Sequence, residues 1–313
     1  MAGKWWNRLV SPASRAFFQE GRRIADYSLW DWAHGYFYAR WPYLYIGTGE
    51  HPAARRFGPL VIRLANLLSR LLPHREPAAD KPQITFADTY HGKVVPLKTA
   101  TQLVTVKEDI RLPNLEKIIP YNLARDLILK NPDHIVALEC PCRASRPDPC
   151  LPLDVCLIIG EPFAGLVLEH HASRARPITQ KEAVEIIRQE DERGHSHHAF
   201  FKAAMLNRFY AICNCCACCC GAMQAQRSGT PMLASSGYLA RVDEELCIGC
   251  AECGEFCQFG ALSQADYHNI VDETACMGCG VCANHCAQGA ISLVREPSKG
   301  APLEICELMA LQS

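Results

Sequence analysis

The sequence has no excess of charge of either sign. Its 32 lysines and arginines face 33 aspartates and glutamates, so nucleic acid is not an expected partner. It has no apolar run of the ~20 residues needed to cross a bilayer; its most apolar stretch, Val155 to Leu168, is broken by Gly160, Glu161 and Pro162. Residues 1–21 carry Lys4, Arg8 and Arg15 but neither the apolar segment nor the small-residue cleavage site of a secretory signal. After the Arg22-Arg23 pair, Asp26, Asp31 and His34 stand where a twin-arginine signal needs apolar residues. These absences predict a cytoplasmic protein, in which thiols stay reduced and available to metals. No G-x-G-x-x-G follows a strand-like segment, so neither flavin nor nicotinamide is expected.

What the chain does have is cysteine, 19 in 313 residues. A small secreted disulfide scaffold would be much shorter, so metal binding is the first expectation. With 49% hydrophobic and 21% charged residues the chain reads as a globular protein of two or three domains, and disorder is excluded as its main state. No cysteine precedes Cys140; four lie from Cys140 to Cys156, six from Cys213 to Cys220, eight from Cys247 to Cys286, and Cys306 stands alone. The blocks divide an α+β protein into an aromatic, basic amino-terminal helical region (1–78), a cysteine-rich mixed α/β middle domain (79–237) and a metal module with a tail (238–313).

Residues 1–75 hold eleven basic against four acidic side chains and all five tryptophans, Trp5, Trp6, Trp30, Trp32 and Trp41. Pro59 to Leu72 reads as an amphipathic helix, with Leu60, Leu64, Leu67, Leu68 and Leu71 opposite Arg63, Asn66 and Arg70. Packing on the middle domain or docking a partner is its expected use; peripheral contact with the inner membrane face is the second reading. In the middle domain Ile119 to Asn131 is expected as a helix between Pro120 and Pro132. His134 to Glu139 and Arg208 to Ile212 are expected as strands, each delivering a cysteine block. Thr179 to Glu182 reads as a capping box opening a helix that stops at Gly194. If the two strands are neighbours in one sheet, their cysteine blocks converge.

The strongest pattern is a repeat with a 29-residue offset: Cys247, Cys250, Cys253 and Cys257 recur as Cys276, Cys279, Cys282 and Cys286, each preceded by Val-Asp-Glu and followed by Gly-Ala. Each half is C-x2-C-x2-C-x3-C, a spacing that holds [4Fe-4S] cubanes. Three close cysteines wrap three corners of a cubane while the fourth begins a helix pointing at the other cluster. The expected ligand sets therefore cross over: Cys247, Cys250, Cys253 and Cys286 for one cluster, and Cys276, Cys279, Cys282 and Cys257 for the other. Zinc is the weaker alternative, since CxxC pairs also bind it. From about Tyr238 to Arg295 the chain resembles the dicluster ferredoxin family, which implies a two-fold pseudosymmetric βαββαβ fold. It departs from that family at Gln258 and Ala287, where proline usually follows the fourth cysteine; this is expected to loosen a turn or admit water without removing a cluster. The acidic residues ahead of each repeat, Asp243 to Glu245 and Asp272 to Glu273, offer either an acidic docking face or plain solvated surface.

The other ten cysteines are Cys140, Cys142, Cys150 and Cys156, then Cys213, Cys215, Cys216, Cys218, Cys219 and Cys220. No single backbone conformation aims the last six at one point: a strand puts Cys216, Cys218 and Cys220 on one face, a helix Cys215, Cys216 and Cys219. A subset is expected to hold at least one additional iron-sulfur cluster, with structural zinc or redox thiols as alternatives. The series C-x-C-R, capped helix, C-N-C-C-x-C-C-C and dicluster module, from about Tyr90 to Arg295, resembles a group of cysteine-rich iron-sulfur proteins of anaerobic microbes. That resemblance implies oxidoreductive electron transfer with no defined substrate. His170, His171, His195, His197 and His198 gather nearby, either at a helix end or surface, or as proton donors or ligands. The expected function is an electron carrier with redox protein partners, a subunit of an anaerobic oxidoreductase. The alternative is a substrate-reducing centre in the middle domain, with His170, His195 or His197 supplying protons.

Overall fold

Apolar residues alternate along the central strands, and both alternating sets are buried. The structure is a computed structural model that describes residues 10–47, 84–265 and 267–310. The expected helix Pro59 to Leu72 lies outside the described residues. The middle of the chain forms strands β1 (Tyr90–Val95), β2 (Ile110–Leu112), β3 (Leu127–Leu129), β4 (Ile135–Leu138), β5 (Cys156–Ile159), β6 (Ala175–Ile178), β7 (Ser196–Lys202), β8 (Arg208–Cys215) and β9 (Leu233–Ala234). Seven of them make one sheet in the order β6-β4-β5-β8-β7-β1-β9, antiparallel except for β1 with β9. Val136, Leu138, Ile158, Phe200 and Ala211 face one core, and Ile135, Ala137, Leu157, Ala199 and Ile212 the other. Helices cover both faces, so the protein is α+β.

On the first face lie the helices Pro12–Gly21, Leu29–Arg40 and Phe163–His170. Pro12 suits the first helical turn, and the Leu29–Arg40 helix opens on a capping box in which Ser28 and Asp31 satisfy each other's backbone N–H groups. Phe17 is fully buried against this face, worth roughly 2–3 kcal/mol, and Glu20 pairs with Arg208 at 2.6 Å and Lys130 at 2.8 Å. The described part of the aromatic amino-terminal region thus packs on the middle domain. Trp30 nevertheless remains 78% exposed, and Leu29 and Leu44 are exposed as well. No helix among the described residues is long and apolar enough to cross a membrane.

On the second face lie Leu97–Val104 and Gln180–Glu192. Thr179 Oγ1 accepts the Glu182 N–H at 3.2 Å, and Gly194, at φ 80°, ends the helix in the left-handed conformation. Ile119 to Asn131 is not the expected helix. Leu127 and Leu129 point inward with period two and pair as β3 with β2, while Ala124 and Asn131 have left-handed φ values of 52° and 51°. Ala124 N–H donates to Asn207 Oδ1 at 2.7 Å, a tertiary bond no local pattern announces. His134 to Glu139 and Arg208 to Ile212 do fall in strands, β4 and β8, but these are not neighbours. β5 lies between them, with Leu138, Cys156 and Cys213 in register across the three.

The carboxy-terminal module runs β10 (Tyr238–Val242), helix Glu252–Phe256, β11 (Leu262–Ala265), β12 (His268–Val271), helix Val281–His285 and β13 (Ile291–Arg295). β10 pairs with β13 and β11 with β12, both antiparallel. Beyond β13 the chain returns to the large sheet: Leu303 and Ile305 are buried in its second core, and Lys93 Nζ donates to the Ala301 carbonyl at 2.8 Å.

Lys202 is the most demanding buried charge on the first face. Among the described residues no carboxylate pairs with it; its ammonium instead lies 4.4, 5.1 and 4.6 Å from the ring centroids of Tyr38, Tyr45 and Tyr90. Burial lowers its pKa to about 7, whereas the unfolded chain protonates this lysine below about 10.5. Between those values the unfolded state binds the extra proton, so this residue's contribution falls as pH drops from about 10.5 to 7 and is flat below. Allowing for attraction by the rings, Lys202→Met is expected to raise stability at pH 7 by about 1–3 kcal/mol. The margin over wild type should narrow as pH rises towards 10, measured by urea unfolding. A margin independent of pH would contradict this account.

Candidate metal centres

The two halves of the carboxy-terminal module have the same backbone at positions 29 apart. Gly249 and Gly278 have φ 67° and 64°, and Gly260 and Gly289 have 66° and 63°. Ala251 and Gly280, which precede the two helices, are both left-handed at 64° and 87°, an arrangement glycine accepts and alanine resists. The last cysteine of each half, Cys257 or Cys286, caps its helix in extended conformation. In consequence the module holds two thiol-lined cavities. One is bordered by Cys247, Cys250, Cys253 and Cys286, the other by Cys276, Cys279, Cys282 and Cys257.

Both cavities suit the donor chemistry of an iron-sulfur core, which requires thiolate ligands and tolerates their charge where N–H groups point at sulfur. Ala261 N–H donates to Cys257 Sγ at 3.2 Å and Ala290 N–H to Cys286 Sγ at 3.3 Å, one bond for each half. Asn269 Nδ2 adds a third, to Cys253 Sγ at 3.2 Å. Burial pushes Cys279 up to about 12 and raises Cys253, so these residues are thiols until a cation takes their protons' place. Asn269→Ala removes a donor that favours the more negatively charged, reduced state. A differential of about 0.5–1 kcal/mol should lower the potential of the Cys253 cluster by roughly 20–40 mV, readable by potentiometric EPR titration. An unchanged potential would show that this bond does not tune the centre.

In the middle domain the register of β4, β5 and β8 brings two cysteine blocks together at one end of these central strands. Cys156 Sγ is 3.4 Å from Cys213 Sγ. Contacts between Cys140 and Cys142 and between Cys215 and Cys220 complete a crowded group of six thiols, in which Cys140 interacts with both Cys213 and Cys215. The other four separate from them: the sulfurs of Cys150, Cys216, Cys218 and Cys219 all lie within 4.8 Å of one another. In the six-thiol group thiol–thiol hydrogen bonds and burial push Cys140, Cys213 and Cys215 well above the ordinary range. A metal would have to displace those protons.

His170 and His171 do lie at a helix end, that of Phe163–His170, but His197 and His198 are not on the surface: Ser196 to Lys202 is a strand buried throughout. His198 stands opposite Cys213, its Nε2 3.0 Å from Ser196 Oγ, and its buried Nδ1 has no hydrogen-bond partner. A buried nitrogen without a hydrogen-bond partner, one strand across from Cys213, is a donor that a metal or cluster could use. His195 serves a different centre. Arg143 Nη2 donates to Glu190 Oε2 at 2.5 Å and to the Asn214 carbonyl at 3.0 Å, and His195 Nδ1 meets the same carboxylate at 2.7 Å. Arg143 and Glu190 are 1% and 0% exposed. Burial opposes ionisation of Glu190, but His195 and the guanidinium together hold its carboxyl below the usual range. Arg143 also interacts with Cys140 and Cys216, one thiol from each group. His170 is remote from these thiols and contacts Arg40 and Ser14 on the amino-terminal helices.

Gln258, one of the two positions at which proline is missing, helps to dock the module. Gln258 Oε1 accepts the Ala217 N–H at 2.7 Å and Gln258 Nε2 donates to the Gly194 carbonyl at 2.8 Å, so the missing proline is replaced by a bridge to two segments of the middle domain. Gly194 is needed twice, since a Cβ there would stand 2.8 Å from the Phe256 ring. Asn284 Nδ2 donates to Asp191 Oδ2 at 2.9 Å. Cys279 shares one core with Cys156, Cys215 and Cys220, whereas Cys250 is exposed among Leu246 and Ile248. Arg143 was visible in the C-x-C-R series and Gln258 as a missing proline; Asn269 and Glu190 carried no signal in the sequence.

The family model for the 4Fe-4S binding domain matches residues 240–263, which contain Cys247, Cys250, Cys253 and Cys257. No curated protein matches the chain. The protein thus carries a ferredoxin-type iron-sulfur motif on an α+β fold and binds iron-sulfur clusters.

Proposed function

We propose that this chain is an electron-transfer subunit of an anaerobic oxidoreductase, with two [4Fe-4S] clusters and a further cluster in the middle domain. Cys247, Cys250, Cys253 and Cys286 hold the first, Cys276, Cys279, Cys282 and Cys257 the second, and members of the group Cys140, Cys142, Cys156, Cys213, Cys215 and Cys220 the third. Bound there, such clusters take up and release single electrons. The observation that carries the reading is that Cys279 of the second ferredoxin cavity is buried in the same hydrophobic core as Cys156, Cys215 and Cys220 of the six-thiol group. The first cavity faces outward. Exposed Leu246 and Ile248, beside acidic Asp243 to Glu245, form the face on which a redox partner would dock.

A second reading has its own observation. Tyr38, Tyr90 and Tyr210 line an apolar cavity together with Cys140, Cys142, Cys156 and Cys213. Tyr38 and Tyr210 share a hydrogen bond of 2.8 Å there. A small substrate in that cavity would meet the middle-domain centre directly. Iron and sulfide content of the whole chain purified anaerobically, with EPR of the reduced state, tests the main reading. About 12 iron atoms per chain are expected, and about 8 in fully loaded protein would remove the third cluster. Perturbation of one EPR signal by a small exogenous ligand such as cyanide would move the assignment to the second reading.

A further inference from the structure

We infer that Cys150, Cys216, Cys218 and Cys219 form a mononuclear tetrathiolate site for zinc, separate from every iron-sulfur centre of the chain. The four sulfurs all lie within 4.8 Å of one another, with Cys150 Sγ 3.0 Å from Cys218 Sγ and Cys218 Sγ 3.6 Å from Cys219 Sγ. A tetrahedral zinc with Zn–S bonds of about 2.3 Å spaces its ligands about 3.8 Å apart, which is the scale of this group. A cubane needs something else. Its thiolates sit beyond four separate irons with sulfides between them, and four sulfurs that are all this close to one another leave no room for such a core. The two ferredoxin sets, in contrast, are arranged around cavities. Adjacent residues such as Cys218 and Cys219 serve one small ion readily, whereas two corners of a cubane would pull them apart.

The backbone explains how the ligands meet. After β8 the chain makes a single turn, closed by the Cys220 N–H on the Cys216 carbonyl at 3.1 Å, which gathers Cys216, Cys218 and Cys219. Cys150 arrives from the loop between β4 and β5. Arg146 in that loop donates to the Cys219 carbonyl at 3.2 Å and to Gln224 Oε1 at 2.7 Å, and Gln224 Nε2 donates to the Cys218 carbonyl at 2.8 Å. The two segments are therefore fastened before any metal binds, and Arg146 and Arg143 supply positive charge beside a tetrathiolate whose net charge with zinc is about −2. Such a closed site has no open coordination position, and its role is structural. It fastens the loop that carries Cys150 to the turn that follows β8.

The test uses the full chain, produced in medium containing both metals and purified anaerobically. Expected are one zinc per chain and a zinc-edge X-ray absorption spectrum with four sulfur neighbours at about 2.3 Å and no iron in the second shell. Cys150→Ser and Cys218→Ser should each lose most of the zinc while leaving iron and acid-labile sulfide unchanged. Loss of iron in these variants, with or without sulfide, overturns the assignment. So does a wild-type chain that carries iron but no zinc. Should either variant misfold, the wild-type edge spectrum decides. Iron content reads the proposed function and zinc content reads this site, so one can fail without the other.

Discussion

Cys286→Ser is expected to empty the cavity bordered by Cys247, Cys250 and Cys253 and to spare the one formed by Cys276, Cys279 and Cys282, although the latter are its neighbours in sequence. Cys286 ends the Val281–His285 helix in extended conformation and lines the cavity of the other half. Cys257 does the same in reverse. Electrostatics follow the same division: Cys253 responds to Cys250, Cys247 and Cys286, whereas Cys279 responds to Cys257 and Cys276. The variant should lose about 4 of the roughly 8 irons of the module. The remaining reduced cluster should give an EPR signal free of the broadening that two nearby paramagnets cause. Cys257→Ser should spare the outward-facing cluster instead and break the connection to the middle domain. Loss of the Cys276 set in Cys286→Ser would mean that each repeat folds as an independent four-cysteine loop.

The second large effect is expected at Arg143. Replacing it with methionine leaves Glu190, 0% exposed, without its strongest cation and deprives the Pro152 and Asn214 carbonyls of their donor. His195 and the half-exposed Arg193 remain near the carboxylate, so the group is not wholly abandoned. Breaking a buried pair from one side typically costs about 3–5 kcal/mol, because the surviving charge stays desolvated. Arg143→Met should therefore destabilise by about that much, whereas Arg143→Met with Glu190→Leu should recover a large part of it. Since the Arg143 charge acts on Cys140 and Cys216, one thiol of each group, the single variant should also lower middle-domain iron. Urea unfolding of the three proteins, with iron content of each, measures the coupling. A single-variant loss below about 1 kcal/mol would mean that Glu190 finds water or protonates, and that the pair does not organise the site.

The sequence alone determined the features that depend on local spacing. C-x2-C-x2-C-x3-C repeated at a 29-residue offset specifies two loops of three cysteines with a fourth on a helix, because a short chelating loop permits few geometries. Thr179 and Gly194 mark the ends of their helix because capping is satisfied within a few residues. The strands β4 and β8 were legible from their apolar runs.

Tertiary structure decided what those elements do together. Ile119 to Asn131 looked helical, but pairing with β2 and the Asn207 side chain selected a turn and a strand, since long-range hydrogen bonds outweigh weak local propensity. No spacing rule could divide the ten middle cysteines into six and four. That division depends on β5 inserting between β4 and β8 and on one turn after Cys215, which direct consecutive thiols to different neighbours. The histidines went the same way: a polar run after a helix stop reads as surface, yet it enters the centre of a sheet because Asn214, Ser196 and Glu190 supply its hydrogen bonds there. Burial of polar groups requires partners, and those partners lie too far along the chain for any local pattern to reveal.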